Sequence, residues 1–341
     1  MPASFIPSAT ATAATAWFAP LEQLRVFTVT GQDAVSFLQG QLTNDIAASS
    51  PDHAILAGYC TAKGRLLATM AVWRGVGQPA EQVTGFMRAS LSDAVIKRLR
   101  MFVLRAKAVF DTPELSVAGV WTHADQVDQL SQALGAALPT TAWARVERPG
   151  GTWICAPSTR SDQRQSILRW WWVASAEQRN AVAAALAPLM TLAPAADWDG
   201  LDMLAGLPWI DTPTQDLFIP QTVNLDLIEG VSFTKGCYPG QEVVARSHYR
   251  GTVKRRMALG LIRTSDLPEG EIRGLDVYDT TVTTEPSGRI IDMGSLAGPE
   301  GETAVLFEIP LKSLVTPSLA LGTLEGPAIR VQTLPYAYGS D

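Results

Sequence analysis

From Leu24 to Val29 apolar and polar residues roughly alternate, as in a half-buried strand. Gly31 and Asp33 then mark a turn, and Ala34, Phe37, Leu38 and Leu42 recur at helical spacing, which predicts a capped helix ending in the polar run Gln39 to Asp45. Tyr59 to Arg65 reads as a turn leading into a β-like run from Leu66 to Trp73. Behind Ser90-x-x-Asp93, a capping box with Asp in place of Glu, the residues Leu91, Val95, Leu99 and Phe102 share one helical face and predict a core-packing helix. Ala106 to Trp121 is β-rich, Asp125 to Leu138 is helical in pattern, and another helix is expected from Ser175, with Gln178 three residues on, to Leu186. Trp170, Trp171 and Trp172 are consecutive, so a strand there places indoles on both faces as packing.

After Met257 the texture changes to short apolar runs divided by Pro-Glu-Gly (268 to 270), Pro-Ser-Gly (286 to 288) and Gly-Pro-Glu-Gly (298 to 301). Turn signals at that spacing predict a small β-barrel or sandwich, with its boundary near Gly251. Upstream, strand and helix signals mix without a steady βαβ rhythm, which points to α+β rather than a doubly wound sheet. The expected division is an extension over 1–16, an α+β region of two interleaved subdomains over 17–250 and a C-terminal barrel over 251–341.

With 341 residues, 47% apolar and 18% charged, the chain can bury several cores and leaves little room for disorder away from its ends. The Ala/Thr/Ser/Pro-rich start has no basic residue before Arg25, unlike a signal or transit peptide, and the longest uncharged apolar stretch, Ala181 to Ala196, is interrupted by two prolines and falls short of the ~20 residues of a bilayer span. A net charge of -6 excludes a surface that tracks nucleic acid throughout. Between Val243 and Thr264, however, six basic residues (Arg246, Arg250, Lys254, Arg255, Arg256, Arg263) stand without an acid, an asymmetry suited to a carboxylate tail or an RNA backbone.

Cys60, Cys155 and Cys237 are far apart and form neither a disulfide framework nor a cluster site, so a cytoplasmic setting is expected. Cys237 lies in Lys235-Gly236-Cys237-Tyr238-Pro239-Gly240-Gln241-Glu242, where two glycines and a proline shape a tight loop. A helix from Gln241 to Tyr249 would bring its N-terminus near the thiol, and the Lys235 charge would favour the thiolate. Cys60, in the turn, and Cys155, in an apolar run, are assigned no role. His53, His123 and His248 have no metal-ligand spacing, although one or two helical turns could carry His248 towards Cys237.

Lys235 to Glu242 resembles the K-G-C-Y-x-G-Q-E signature of the YgfZ family. Phe218 to Asp226, Phe37 to Asp45, Ala62-Lys63-Gly64-Arg65 and Leu334-Pro335-Tyr336 resemble further segments of that family, so the likeness runs from about Leu21 to the end. It implies a fold like that of the glycine-cleavage T-protein, arranged around a central folate-binding opening with a C-terminal β-barrel. It also implies tetrahydrofolate or a derivative as cofactor, Cys237 as the functional thiol, and Lys235, Gly236, Tyr238, Gly240, Gln241 and Glu242 as its loop. Trp198 matches a folate-contacting Trp, and Asn44, Asp45, Arg246 and Arg250 complete the set expected to face the cofactor.

Two departures separate this chain from T-proteins. Their catalytic Asp follows the Lys-Gly-Arg-like turn, whereas residues 61–80 here hold neither Asp nor Glu, and an aminomethyl transfer that needs a base there lacks it. Leu204 stands where a Glu binds the pterin ring, leaving Asp202 or Asp45 to substitute. The resemblance therefore implies a folate-dependent accessory factor in the assembly or repair of iron-sulfur proteins, including tRNA-modifying enzymes, with the assembly machinery or its clients as partners. A folate-dependent aminomethyl or methyl transferase and a tRNA-binding module using Arg246 to Arg263 are the alternatives.

Overall fold

The computed structural model describes residues 14–75, 82–158, 166–249, 253–282, 284–298 and 301–338. The described residues reach into the expected extension: the Thr15 N–H donates to the Leu189 carbonyl at 3.0 Å, and β1 (Ala16–Pro20) starts at Ala16. Then come β2 (Leu24–Thr30), α1 (Ala34–Gln39), β3 (Ala54–Cys60), β4 (Leu66–Arg74), β5 (Gln82–Arg88), α2 (Ala89–Phe102) and β6 (Val109–Asp111). Strands β3-β4-β5-β2-β6 form an antiparallel sheet in that order.

The next stretch contains β7 (Ser116–His123), α3 (Val127–Ala133), β8 (Arg145–Arg148), β9 (Gly151–Cys155), β10 (Ile167–Ala174), α4 (Ala176–Leu186), β11 (Met190–Leu192) and α5 (Ala195–Leu204). Its sheet runs β11-β1-β7-β10-β9-β8, so the first strand of the chain belongs to the second sheet and interleaves the two layers. After α6 (Gln241–Tyr249), the strands β12 (Arg255–Arg263), β13 (Asp276–Asp279), β14 (Gly288–Leu296), β15 (Glu302–Pro310), β16 (Leu319–Leu321) and β17 (Ala328–Gln332) close into a barrel in the order β12-β15-β14-β13-β16-β17. The Pro-Glu-Gly turn at 268–270 separates β12 from β13, and Pro-Ser-Gly at 286–288 runs into β14. The fold is α+β with a closed C-terminal barrel, as the residue pattern predicts.

Local signals survive where no distant partner competes for them. Ser175 caps α4 in both directions: its hydroxyl accepts from the Gln178 N–H at 3.1 Å and its N–H donates to the Gln178 side chain at 2.9 Å. Asp33 and Ser90 behave otherwise. The Asp33 carboxylate accepts from the Lys107 N–H at 2.7 Å instead of capping α1, and Ser90 lies inside α2, where its hydroxyl donates to Asp211. Phe102, expected in the core, is 47% exposed at the end of α2.

Trp171 faces the main core while Trp170 and Trp172 pack in a second cluster on the other face of β10. From Trp171 a chain of ring contacts runs through Trp198 and Trp121 to Trp17, and branches to Trp143 and Trp209, with centroid separations of 5.3 to 6.3 Å. Beside it lies a buried charge network. Arg88 donates to Asp199 at 3.2 Å and to Asp292 at 2.9 Å, and Asp292, on barrel strand β14, also accepts from Arg273 at 2.6 Å. A glycine-to-glycine approach, Gly200 of α5 on Gly294 of β14, lets the helix lie directly on the barrel.

Burial raises the Asp199 carboxyl to about 6 although Arg88 opposes it; at Asp292 burial is outweighed by Arg88 and Arg273, which hold the carboxyl below its ordinary value. The folded state therefore keeps a proton on Asp199 that the unfolded chain sheds at the ordinary carboxylate pKa. That contribution to stability is whole below the ordinary value and is lost as pH rises through about 6. Asp199→Asn is expected to flatten this part of the pH profile in urea unfolding at pH 4 to 7. Asp292→Ala, which leaves Arg88 and Arg273 without their shared partner, is expected to cost about 3–5 kcal/mol at pH 7.

Candidate functional site

The loop after α1, the turn between β3 and β4, the 216–226 segment and the 235–242 loop converge on one place. Thr43 connects the first to strand β3 and to the approach of the fourth. Its hydroxyl donates to the Gly230 carbonyl and accepts from the Gly58 N–H, both at 2.7 Å, while its carbonyl accepts from the Ser232 N–H at 2.9 Å. Asn44 adds donations to the Leu56 carbonyl at 2.7 Å and the Glu229 carbonyl at 2.6 Å. Lys235 is buried, and its ammonium donates to the carbonyls of Gln39, Leu42 (2.6 Å) and Asn44 (3.0 Å).

The 216–226 segment holds the other side. Leu66 N–H donates to the Phe218 carbonyl and Asp216 N–H to the Leu66 carbonyl, both at 2.8 Å, extending β4. Gln221 donates to the Val244 carbonyl of α6 at 2.6 Å, and the Asn224 side chain donates to the Met257 carbonyl at 2.9 Å and accepts from its N–H at 3.2 Å. Gly64 (φ +73°) and Gly240 (φ +83°) then bring the two tight loops together, since a Cβ at Gly240 would lie 2.5 Å from the Thr61 carbonyl oxygen and 2.6 Å from Gly64 Cα. The Ala62-Lys63-Gly64-Arg65 turn is thus the bed on which the Cys237 loop rests.

Cys237 is exposed at that loop and Gly236 beside it has open space where a Cβ would be. Tyr238 turns inward under Lys235, whose ammonium lies 5.3 Å from the ring centroid. Cys60 closes β3 instead of lying in the turn; it and Cys155 are buried, and burial pushes each thiol up to about 12. Gln241 and Glu242 begin the expected helix, with Glu242 in its first turn. Lys235 departs from its expected part: its charge is directed into three carbonyls, one at the end of α1 and two in the loop after it, an anchor for the Cys237 loop. Burial lowers this ammonium to about 8, with Asp45 opposing.

The residues expected to face a cofactor are largely engaged with protein. Trp198 is fully buried, with the Arg169 guanidinium 4.9 Å from its ring centroid and Trp121 and Trp171 against it, so its ring has no surface open to a ligand. The Asn44 amide holds backbone, and the Asp45 carboxylate accepts from Gln39 and from the Ala48 N–H, each at 3.0 Å. Asp202 pairs in full burial with Arg169 at 2.5 Å and accepts from the Trp209 indole at 2.8 Å, which leaves neither proposed acid to replace a Glu at 204. The basic stretch divides as well. Arg255 pairs with Glu308 and Arg256 with Asp226, Arg263 lies at the far end of β12, and Arg246 and Lys254 are exposed. Arg250 and the His248 side chain lie outside the described residues.

Helix α5 carries a further feature, outside the quoted motifs. Asp197, Leu201 and Leu204 share a face of α5 and line a cavity of about 380 Å³ with Trp17, Trp121 and Leu296. The Asp197 carboxyl, raised by burial, has no hydrogen-bond or ion-pair partner among the described residues. The i, i+4, i+7 spacing was visible in the sequence, but nothing local marked the two tryptophans as its opposite wall. Among the described residues no three His, Cys, Asp or Glu side chains gather as a metal site, and no helix is long and apolar enough to cross a membrane.

No family model matches the chain. Over 235 residues it is 34% identical to the tRNA-modifying protein YgfZ of Edwardsiella ictaluri, a match covering 67% of this chain and 66% of that protein. Against the tRNA-modifying protein YgfZ of Yersinia pseudotuberculosis the identity is 32% over 238 residues, covering 70% of this chain and 68% of the relative. The chain belongs to the YgfZ family. The match spans about two thirds of the length of these curated relatives. In fold this YgfZ-family chain is similar to the glycine cleavage system aminomethyltransferase T of Bartonella henselae, with a TM-score of 0.70 at 17% identity over 95% of this chain and 87% of that one. The T-protein-like fold expected from the resemblance is therefore the one observed.

The loop packing of this YgfZ-family site has a direct check. Gly240→Ala forces a left-handed, crowded position and is expected to cost about 1–3 kcal/mol in chemical denaturation, whereas Gly236→Ala, facing open space, is expected to stay within about 0.5 kcal/mol.

Proposed function

We propose that this chain is a folate-linked accessory factor in tRNA modification, acting through Cys237 to support the assembly or repair of the iron-sulfur enzymes that carry it out. The observation that carries this reading is an exposed thiol on a loop fixed from several sides, by the Lys235 anchor and by the Gly64–Gly240 approach. A thiol so placed can meet a partner protein or its cluster in a reducing cytoplasm, while Cys60 and Cys155 are withdrawn from chemistry. The T-protein-like fold supports the folate link, and the relatives' tRNA-modifying role supports the pathway.

Two observations favour this reading over its alternatives. Strand β4 carries no Asp or Glu, and the Thr69 hydroxyl is engaged by the Pro208 carbonyl at 3.2 Å and the Ile210 N–H at 2.9 Å, which argues against aminomethyl transfer with a base at that strand. Arg255 and Arg256 are neutralised by ion pairs, which removes the centre of the basic stretch from an RNA-binding face.

The cavity beside α5 fits a pteridine in size and chemistry: apolar walls, two indoles and one unpartnered carboxyl that can accept from ring N–H groups. On this reading Asp197, two turns before Leu204 on the same face, stands in for the acid absent at 204. A reduced folate would supply a carrier of one-carbon units.

In cells lacking the native protein, Cys237→Ser is expected to leave tRNA modifications made by iron-sulfur enzymes at the level of the null strain; full restoration would sink the thiol role. For the cofactor, titration with tetrahydrofolate should show Asp197→Asn weakening affinity roughly tenfold, the loss of one hydrogen bond to a charged group. Unchanged affinity removes Asp197 from the folate site.

A further inference from the structure

Four non-glycine residues among those described hold left-handed backbone: Trp143 (φ 67°), Asp216 (φ 61°), Asn224 (φ 59°) and Glu229 (φ 60°). Asn and Asp adopt this conformation readily, whereas for a bulky Trp it is costly. Trp143 and Glu229, from distant parts of the chain, line the same cavity of about 340 Å³, together with Leu207, Leu227, Ile228 and Tyr336.

Each strained residue is held from another element. Trp143 donates its N–H to the Cys155 carbonyl at 2.7 Å and accepts at its carbonyl from the Ala54 N–H at 2.9 Å, and its ring stacks on Trp171 with centroids 5.3 Å apart. The Glu229 carbonyl is held by Asn44, and the next carbonyl, that of Gly230, by the Thr43 hydroxyl. Tyr336 is fixed by donation from its hydroxyl to the Gly206 carbonyl at 2.9 Å. Strain kept in place by so many constraints, twice at one cavity, points to a binding role for it.

The lining restricts the ligand. Indole and phenol rings with aliphatic neighbours suit a flat ring, and the exposed Glu229 carboxylate, without a hydrogen-bond or ion-pair partner among the described residues, can accept two parallel N–H donors. A simple amine would leave the aromatic walls unused. Adenine would set its ring acceptor N1 against the carboxylate, whereas guanine offers N1–H and its exocyclic amino group side by side, a pair the pteridine of folate shares and which competition with tetrahydrofolate therefore tests. We propose that this cavity binds a guanine base, free or within RNA, with Glu229 reading its N–H edge and Trp143 and Tyr336 as walls. The site shares no lining residue with the cavity beside α5 proposed for folate. It also adjoins the thiol loop: Asn44 holds Glu229 through its side chain and Lys235 through its carbonyl, so an occupied cavity bears on the support of Cys237.

The test is equilibrium titration of the full chain with GMP, AMP and a short single-stranded RNA containing one guanine, with tetrahydrofolate as competitor. Saturable GMP binding, at least about tenfold weaker AMP binding and a Glu229→Gln loss of roughly 10- to 100-fold are expected. RNA binding tighter than GMP assigns the base to RNA, and equal affinities assign it to a free nucleotide. Glu229→Gly relieves the backbone strain, so it should unfold at a higher temperature than the parent while binding GMP as poorly as the Gln variant. Equal GMP and AMP binding, no GMP binding, parental affinity in either variant, or displacement of GMP by tetrahydrofolate each overturns the proposal. Because Asp197→Asn tests the folate cavity alone, failure of one reading is told apart from failure of the other.

Discussion

A lysine ammonium withdrawn from water needs acceptors, and the last residue of α1 and the loop after it carry carbonyls that need donors. Lys235 meets both needs at once, across 193 positions of sequence to Leu42. Everything at the thiol loop depends on that attachment. With Lys235 drawn in, Tyr238 lies beneath the surface, the chain reverses at Gly240 against Gly64, and Gly236 and Cys237 are left outward between buried Lys235 and Tyr238.

Thr43 and Asn44 extend the same logic to the chain that approaches the loop. Their side chains substitute for strand pairing where no strand can run, and they fix Glu229 and Gly230 in a conformation that a free loop would abandon. The join to the barrel uses a different device. Arg88 and Arg273 share Asp292, and the close approach of α5 to β14 gives the pair a dry, well-defined geometry. Burying such charges adds little net stability compared with apolar packing, but it penalises any other placement of the barrel.

The parts of the fold legible in the sequence are those set by neighbours in the chain. Alternation marked β2, the Ser175–Gln178 pair marked the start of α4, three adjacent tryptophans marked a strand buried on both faces, and turn residues marked the barrel. The Cys237 loop was legible for the same reason, since its glycines and proline are local constraints. What could not be read depended on distant partners. Asp33 and Ser90 had good helix-capping spacing, yet the Lys107 N–H and Asp211 claimed them. Arg255 and Arg256 read as a free basic run because Glu308 and Asp226 arrive from elsewhere. Trp198 read as a ligand contact, but β7 and β10 place Trp121, Trp171 and Arg169 around it. The Asp197 face was periodic in the sequence without any sign of what it faced.

The branched row of indoles from Trp17 to Trp143 and Trp209 has an optical consequence. Rings held 5 to 6 Å apart exchange excitation far faster than they emit, so these six tryptophans act as a single light-collecting unit whose glow comes from its lowest-energy members. Trp17 and Trp121 border one cavity and Trp143 borders another, so a molecule entering either one would alter the shared emission of the whole row.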